Sequence, residues 1–284
     1  MTPKTYSTYH QRGAEGTLYL ADAIDFLKKI RKSTAGVVFL DPPFNIGKDY
    51  GNGKTEDRRP HKHYISWLEE VIGESVRILK PGGALYLYHL PSFATQLTGL
   101  LNELLQFRHW IAVCMKNTFV RGRRLYPAHY ALLYYTKGDP LHFSRPKLSP
   151  VKCRRCNSYI KDYGGYRRII EEKGINLSDV WDDLSPVRHN KRKSRPANEL
   201  PMELLERVVA ISGCANELFV DPFMGGGNGV LAAVGADMRF AACDIVEECC
   251  RLVSERIEHL IEEHRRQAWQ TQMPIPKEDS LSIS

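Results

Sequence analysis

Two short segments at opposite ends of the 284-residue chain carry residue types that can do chemistry. The apolar run Val37-Val38-Phe39-Leu40 delivers Asp41-Pro42-Pro43-Phe44. The run Leu218-Phe219-Val220 delivers Asp221-Pro222-Phe223-Met224-Gly225-Gly226-Gly227-Asn228-Gly229. Each reads as a buried strand ending in a loop, the place where open α/β sheets bind ligands. The first loop offers a carboxylate, two rings that fix φ, and an aromatic side chain. An exocyclic amine on a nucleobase is a poor nucleophile, because its lone pair is delocalised into the ring. Asp41 and the Pro42 carbonyl could accept its two N–H bonds and turn the lone pair outward, while Phe44 stacks on a base that has left its helix. The glycine-rich loop suits a nucleotide-like cofactor, because backbone without Cβ approaches a ligand closely. Together the loops point to group transfer onto a nucleobase.

Each residue also has a plainer reading. Asp41 could cap a turn, with the prolines as loop punctuation. Asp244 ends the strand after the glycine loop, at the spacing where an acid meets ribose hydroxyls. Gly227-Asn228-Gly229-Val230-Leu231-Ala232 also fits the loose dinucleotide pattern GxGxxA, but no hydride-transfer constellation accompanies it. Asp22 stands where a helix N-cap would.

The two segments resemble the catalytic and cofactor motifs of DNA amino-methyltransferases, which use S-adenosylmethionine. Catalytic motif first and cofactor motif last resembles the permuted β group of that family. The similarity extends to Lys80-Pro81-Gly82-Gly83, Lys137-Gly138 and Asn198-Glu199-Leu200-Pro201, and covers most of the chain outside roughly 141–195. It implies transfer of a methyl group to the N6 amine of a flipped adenine in double-stranded DNA, since cytosine-N4 enzymes more often begin the catalytic motif with Ser. It assigns Asp41, Pro42, Pro43 and Phe44 to catalysis. Asp22, Asp221, Phe223, Gly225, Gly227, Asn228, Asp244 and Asn198 would surround the cofactor. A homodimer and a cognate restriction endonuclease are partners that the family brings into view. Cytosine-N4 methylation, or a DNA-binding protein with a vestigial methylase domain, are the alternatives.

The remaining sequence must hold these loops in place. A net charge of +7 with pI near 9.0 suits a polyanionic partner. The charge concentrates at 141–195, where aliphatic runs fade and Tyr interleaves with Lys and Arg. Arg188, Lys191, Arg192 and Lys193, with Lys48 beside the first loop, are the candidate DNA-phosphate contacts. No apolar run reaches membrane-spanning length, and the first twelve residues are polar, so a cytoplasmic location and no membrane partner are expected. Seven scattered cysteines argue against a disulfide framework. Cys153 and Cys156 make only half a zinc site, so no metal is expected.

Strand and helix patterns alternate, which predicts an α/β fold with a doubly wound, mostly parallel sheet, the Rossmann-like methyltransferase arrangement. Strands are expected at 17–20, 37–40, 84–88, 110–115, 129–136, 218–220 and 238–243. Helices are expected at 22–31, 64–79, 92–105, 201–211, about 230–234 and 246–266. The expected organisation is a catalytic half at 1–140, a basic recognition insert at 141–195, a cofactor half at 196–268 and a flexible tail at 269–284.

Overall fold

The computed structural model describes residues 2–11, 14–47, 57–114, 123, 125, 127–150, 152–153, 155–159, 163–184 and 199–272, with side chains to residue 263 in the last helix. Among the described residues one sheet of nine strands runs in the order β1 (Lys4–Gln11), β2 (Ala14–Leu20), β11 (Arg239–Asp244), β10 (Leu218–Asp221), β3 (Ala35–Leu40), β4 (Leu79–His89), β6 (His129–Thr136), β5 (Gln106–Cys114), β9 (Val180–Trp181). From β2 to β4 every pairing is parallel. β6 lies antiparallel between β4 and β5, and β1 antiparallel at the edge beside β2. The sheet is therefore mostly parallel, as the alternating pattern predicts.

Helices cover both faces. On one, α1 (Ala23–Lys29), α2 (His61–Ile78) and α3 (Pro91–Leu104) bury Phe26, Leu68, Val71 and Leu97 against Val38, Leu40 and Leu85. On the other, α5 (Met202–Ser212) and α6 (Asn228–Gly235) pack Leu205, Val208 and Ala233 on Val37, Phe39 and Phe219. β3 thus sends alternate side chains into two cores. A strand buried on both faces reads as an unbroken apolar run, which is why it is legible in the sequence. The last helix, α7 (Glu247–Gln272), closes a third cluster with Val253 and Ile257 on Leu18, Phe240 and Val230. No described helix is long and apolar enough to cross a membrane.

Three expectations change. Lys4–Gln11 is a strand, although its sequence is mostly polar. It lies on the edge of the sheet, where half of each side chain row faces water. Lys80–Gly83 falls between the helix expected at 64–79 and the strand expected at 84–88, but it belongs to β4 as a bulge. Ala35 pairs with Leu79 and Val37 with Ala84, so the intervening residues loop out of the ladder, with Gly82 at φ 76°. The segment 141–195 is expected to lack core structure, yet Val180–Trp181 adds a strand to the main sheet. Trp181 and Leu184 enter the second core, and Arg207 of α5 pairs with Asp183. The segment also carries β7 (Lys147–Leu148), α4 (Arg167–Lys173) and β8 (Ile175–Asn176).

Candidate active site

β3 and β10 are adjacent and parallel, with Val38 paired to Val220. Their two loops therefore leave the sheet side by side. Phe39, Asp41, Asp221, Phe223 and the stretch from Gly226 to Gly229 line one narrow cleft together with Glu199 and Leu200. Asp41 is half-buried and Pro42 buried. Proline has no N–H to give, so the ladder ends here and the carboxylate emerges at the edge of the sheet.

The glycine loop is held by its own neighbours. Asp221, 4% exposed, accepts from the Phe223 N–H at 3.0 Å. A Cβ at Gly229 would stand 2.8 Å from Asp221 Oδ2, so the helix start approaches the carboxylate only as glycine. Gly227, at φ 84°, turns the chain into α6. The Asp244 carboxylate accepts from Gly225 N at 3.0 Å and from Val246 N at 2.9 Å, so it ties the loop to the end of β11. The spacing points Asp244 at a ribose; the structure also gives it this bracing role. Asp22 accepts from Ile24 N at 2.9 Å and caps α1.

Arg256 belongs to no motif, yet it reaches the site. Its guanidinium donates to the Gly226 carbonyl, to Asn228 Oδ1 at 2.7 Å and to Glu199 Oε2 at 3.3 Å. Asn228 in turn donates to the Leu200 carbonyl at 2.7 Å. One buttress thus joins α7, the glycine loop and the segment before α5. Only the flanking apolar residues Val253 and Ile257 hint in the sequence that this face of α7 is turned inward.

Around the first loop lies an aromatic cluster that the motifs do not announce. The Phe44 ring centroid is 4.8 Å from His89, 5.7 Å from Tyr130 and 6.1 Å from Tyr88. β4 is parallel to β3 and ends at His89, while β6 is antiparallel and begins at His129. His89 consequently pairs with Ala131 at the same edge of the sheet. Burial first, then the Asp41 charge, pushes both Tyr88 and Tyr130 above the usual phenol value. Both hydroxyls keep their protons beside Asp41. Phe223 meets Trp67 of α2 edge-on at 5.8 Å, and Arg59 lies 4.7 Å over the Trp67 ring, so Trp67 links the loop after Asp221 to the segment before α2.

The chain after Phe44 folds back on itself. Buried Asp57 accepts from Asn45 N at 2.7 Å and Ile46 N at 3.1 Å, and Arg59 N donates to Asn45 Oδ1 at 2.7 Å. Lys48, Arg188, Lys191, Arg192, Lys193 and Asn198 lie outside the described residues. In the described part of the basic segment, Tyr159 sits between Lys152 and Arg167, at 4.9 and 4.7 Å from its ring centroid. Arg167 and Arg168 also pair with Glu171 and Glu172 along α4.

A family model for N6/N4-type DNA methylases matches residues 36–255, a span that holds both loops. The type II methyltransferase M.BamHI of Bacillus amyloliquefaciens is 40% identical over 245 residues, covering 86% of this chain and 57% of that protein. The chain therefore spans little more than half the length of that relative. The crystal structure of an M1.HpyAVI–SAM complex superposes with a TM-score of 0.58 at 18% identity, over 85% of this chain and 98% of that one. The cytosine-N4-specific PvuII DNA methyltransferase superposes with a TM-score of 0.56 at 12% identity, over 81% of this chain and 82% of that one. Those two share the fold. With a family match over most of its length, the chain belongs to the DNA methylase family of the N6/N4 type.

Proposed function

We propose that the chain methylates an exocyclic amine of a base in double-stranded DNA, with S-adenosylmethionine as donor and the N6 amine of adenine as acceptor. The observation that carries this reading is the shared cleft of Asp41, Asp221 and the glycine loop. The glycines let this loop pack closely on its neighbours beside the cleft: a Cβ at Gly226 would meet Glu199 Cδ at 2.3 Å, and one at Gly229 would meet Asp221 Oδ2 at 2.8 Å. Phe223, Gly225, Gly227, Asn228, Asp221 and Asp244 would hold the cofactor, with Asp22 and Asn198 as further contacts. Bound there, it would supply a methyl group already activated by the sulfonium charge.

The chain's own part is then positioning and electrostatics. Asp41 accepts one N–H of the amine and the Pro42 carbonyl the other. Phe44 offers its face to the extruded base, backed by His89 and Tyr130. Tyr88 and Tyr130 keep their hydroxyl protons beside Asp41, so they add hydrogen-bond donors and no further negative charge. The basic stretch from 141 to 195 would follow the DNA, with 1–140 as catalytic half and 196–268 as cofactor half, in the permuted order. Lys48, Arg188, Lys191, Arg192 and Lys193 would contact phosphates.

Adenine rests on Asp at the head of the catalytic motif, where cytosine-N4 enzymes more often carry Ser. Cytosine N4 is the second reading, because both amines demand one geometry and the fold is shared with a cytosine-N4 enzyme. Incubation with radiolabelled S-adenosylmethionine and genomic DNA, followed by nucleoside analysis, tests all of this. N6-methyladenine is the expected product; N4-methylcytosine selects the second reading. No methylated nucleoside would leave a DNA-binding protein with a vestigial methylase domain. A type II relative also makes a cognate endonuclease and a homodimeric assembly worth assaying.

A further inference from the structure

His89 is fully buried at the end of β4. Its Nδ1 accepts from the Leu90 N–H at 2.7 Å, so that nitrogen carries no proton. Burial holds the ring's pKa down to about 3, which keeps the imidazole neutral near pH 7. A neutral ring has one N–H, and it must be Nε2. Nε2 lies 2.7 Å from the Tyr64 hydroxyl, and with this tautomer the imidazole donates and the phenol oxygen accepts. The phenol's own proton points at the Pro43 carbonyl, 2.5 Å away. Two hydrogen bonds thus run in one direction, from the core of the sheet to the Asp41–Phe44 loop.

That carbonyl is a place where such a bond can set the loop's shape. The rings fix φ at Pro42 and Pro43. A following proline restricts ψ at Asp41 and Pro42. The soft torsion left is ψ of Pro43, which directs its carbonyl and decides where Phe44 goes. Tyr64 holds the carbonyl, and the His89 ring that steadies Tyr64 also packs against Phe44 at 4.8 Å. Phe93 of α3 wedges both, 5.2 Å from Tyr64 and 4.9 Å from His89.

We propose that Tyr64 and His89 are positioning residues for methyl transfer, acting through the Pro43 carbonyl to fix the acceptor groups of Asp41 and Pro42 and the ring of Phe44. The inference rests on the reading of Asp41–Phe44 as the catalytic loop. Both act through the shape of the loop, so losing the relay should slow the chemical step and leave binding alone. A misplacement of about 1 Å costs on the order of a hundredfold in rate.

The test uses the full chain, labelled S-adenosylmethionine and genomic DNA under single-turnover conditions. Tyr64→Phe removes one oxygen and keeps the ring. It should lower the transfer rate by about ten- to a hundredfold, with cofactor Kd and the KM for DNA within about twofold of wild type. His89→Leu should do the same, and the double variant should be no slower than the slower single one, since both act through one carbonyl. His89→Gln, which keeps a donor near the Nε2 position, should recover part of the loss. Asp41→Ala runs beside them. If Asp41→Ala is inactive while folded Tyr64→Phe stays near the wild-type rate, the positioning role is wrong and the catalytic loop stands. If the single losses multiply in the double variant, the two residues act separately and the relay is wrong. If Asp41→Ala itself turns over normally, the loop reading fails and the relay with it. Should His89→Leu not fold, Tyr64→Phe still decides.

Discussion

Asp41 and Asp221, far apart in the chain, end neighbouring parallel strands and line the same cleft. The pairing of β3 with β10 makes this so, since parallel neighbours deliver their C-terminal loops to one edge of the sheet. The Asp41 carboxylate and the glycine loop therefore line one wall, as the proposed transfer of a methyl group to an amine would require.

Asp41→Ala should abolish most methyl transfer and leave cofactor binding intact, because Asp221, Asp244 and Arg256 still brace the glycine loop. Loss of one preorganised electrostatic group typically costs about 10²–10³ in rate. Single-turnover transfer and calorimetric titration of S-adenosylmethionine give the two numbers. Near-normal turnover in a folded variant contradicts the assignment.

Asp244→Ala should weaken the cofactor more than it unfolds the protein. The change strips Gly225 N and Val246 N of their acceptor, and removes any hydrogen bond the carboxylate makes to a ribose. Hydrogen bonds to a charged group contribute about 1.5–3 kcal/mol, which is roughly a ten- to hundredfold rise in Kd. Asp244→Asn keeps one acceptor oxygen and should fall between. Calorimetry on both variants checks the order; equal affinities for wild type and Asp244→Ala would remove Asp244 from the cofactor site.

The strand ends are legible in the sequence because β3 and β10 are apolar and bounded by prolines. The aromatic ring around Phe44 is not. Tyr64 reaches His89, and His89 and Tyr130 flank Phe44, because α2 packs at that edge and β6 runs antiparallel to β4, and neither fact has a local sequence signal. Arg256 looks like any charge on an exposed helix until the fold turns it towards Gly226. Trp181 escapes because a two-residue strand is too short for a period to show. Spacing finds the groups that would face the substrate, and the groups that brace them come from long-range packing.

His89 predicts how stability depends on pH. Its folded pKa, about 3, lies below the usual value of 6.5. As pH falls through 6.5 the unfolded chain takes up a proton that the native state refuses. Stability from this group is complete above about pH 6.5 and falls by about 1.4 kcal/mol per pH unit towards pH 3. His89→Gln does not titrate, so its urea-unfolding free energy should decline less steeply than that of wild type between about pH 7 and pH 5. Parallel curves would mean that the buried ring is protonated in both states alike.

Charge removal at Arg188, Lys191, Arg192 and Lys193 should weaken DNA binding without harming cofactor binding. The motivation is compositional: these four cations cluster in the basic segment of a chain with net charge +7. Removing one cation that meets a phosphate lowers the slope of log affinity against log salt by about 0.9. Four Gln substitutions should therefore flatten the slope by as much as roughly 3.6, if every one of them meets a phosphate. Sequence preference should change less, because phosphate contacts position a protein while base contacts specify its site. Fluorescence anisotropy with duplex DNA across a salt series measures both quantities. A slope and affinity equal to wild type would make the cluster a solvated face, and Lys48, four residues after Phe44 in the sequence, would become the next cation to remove.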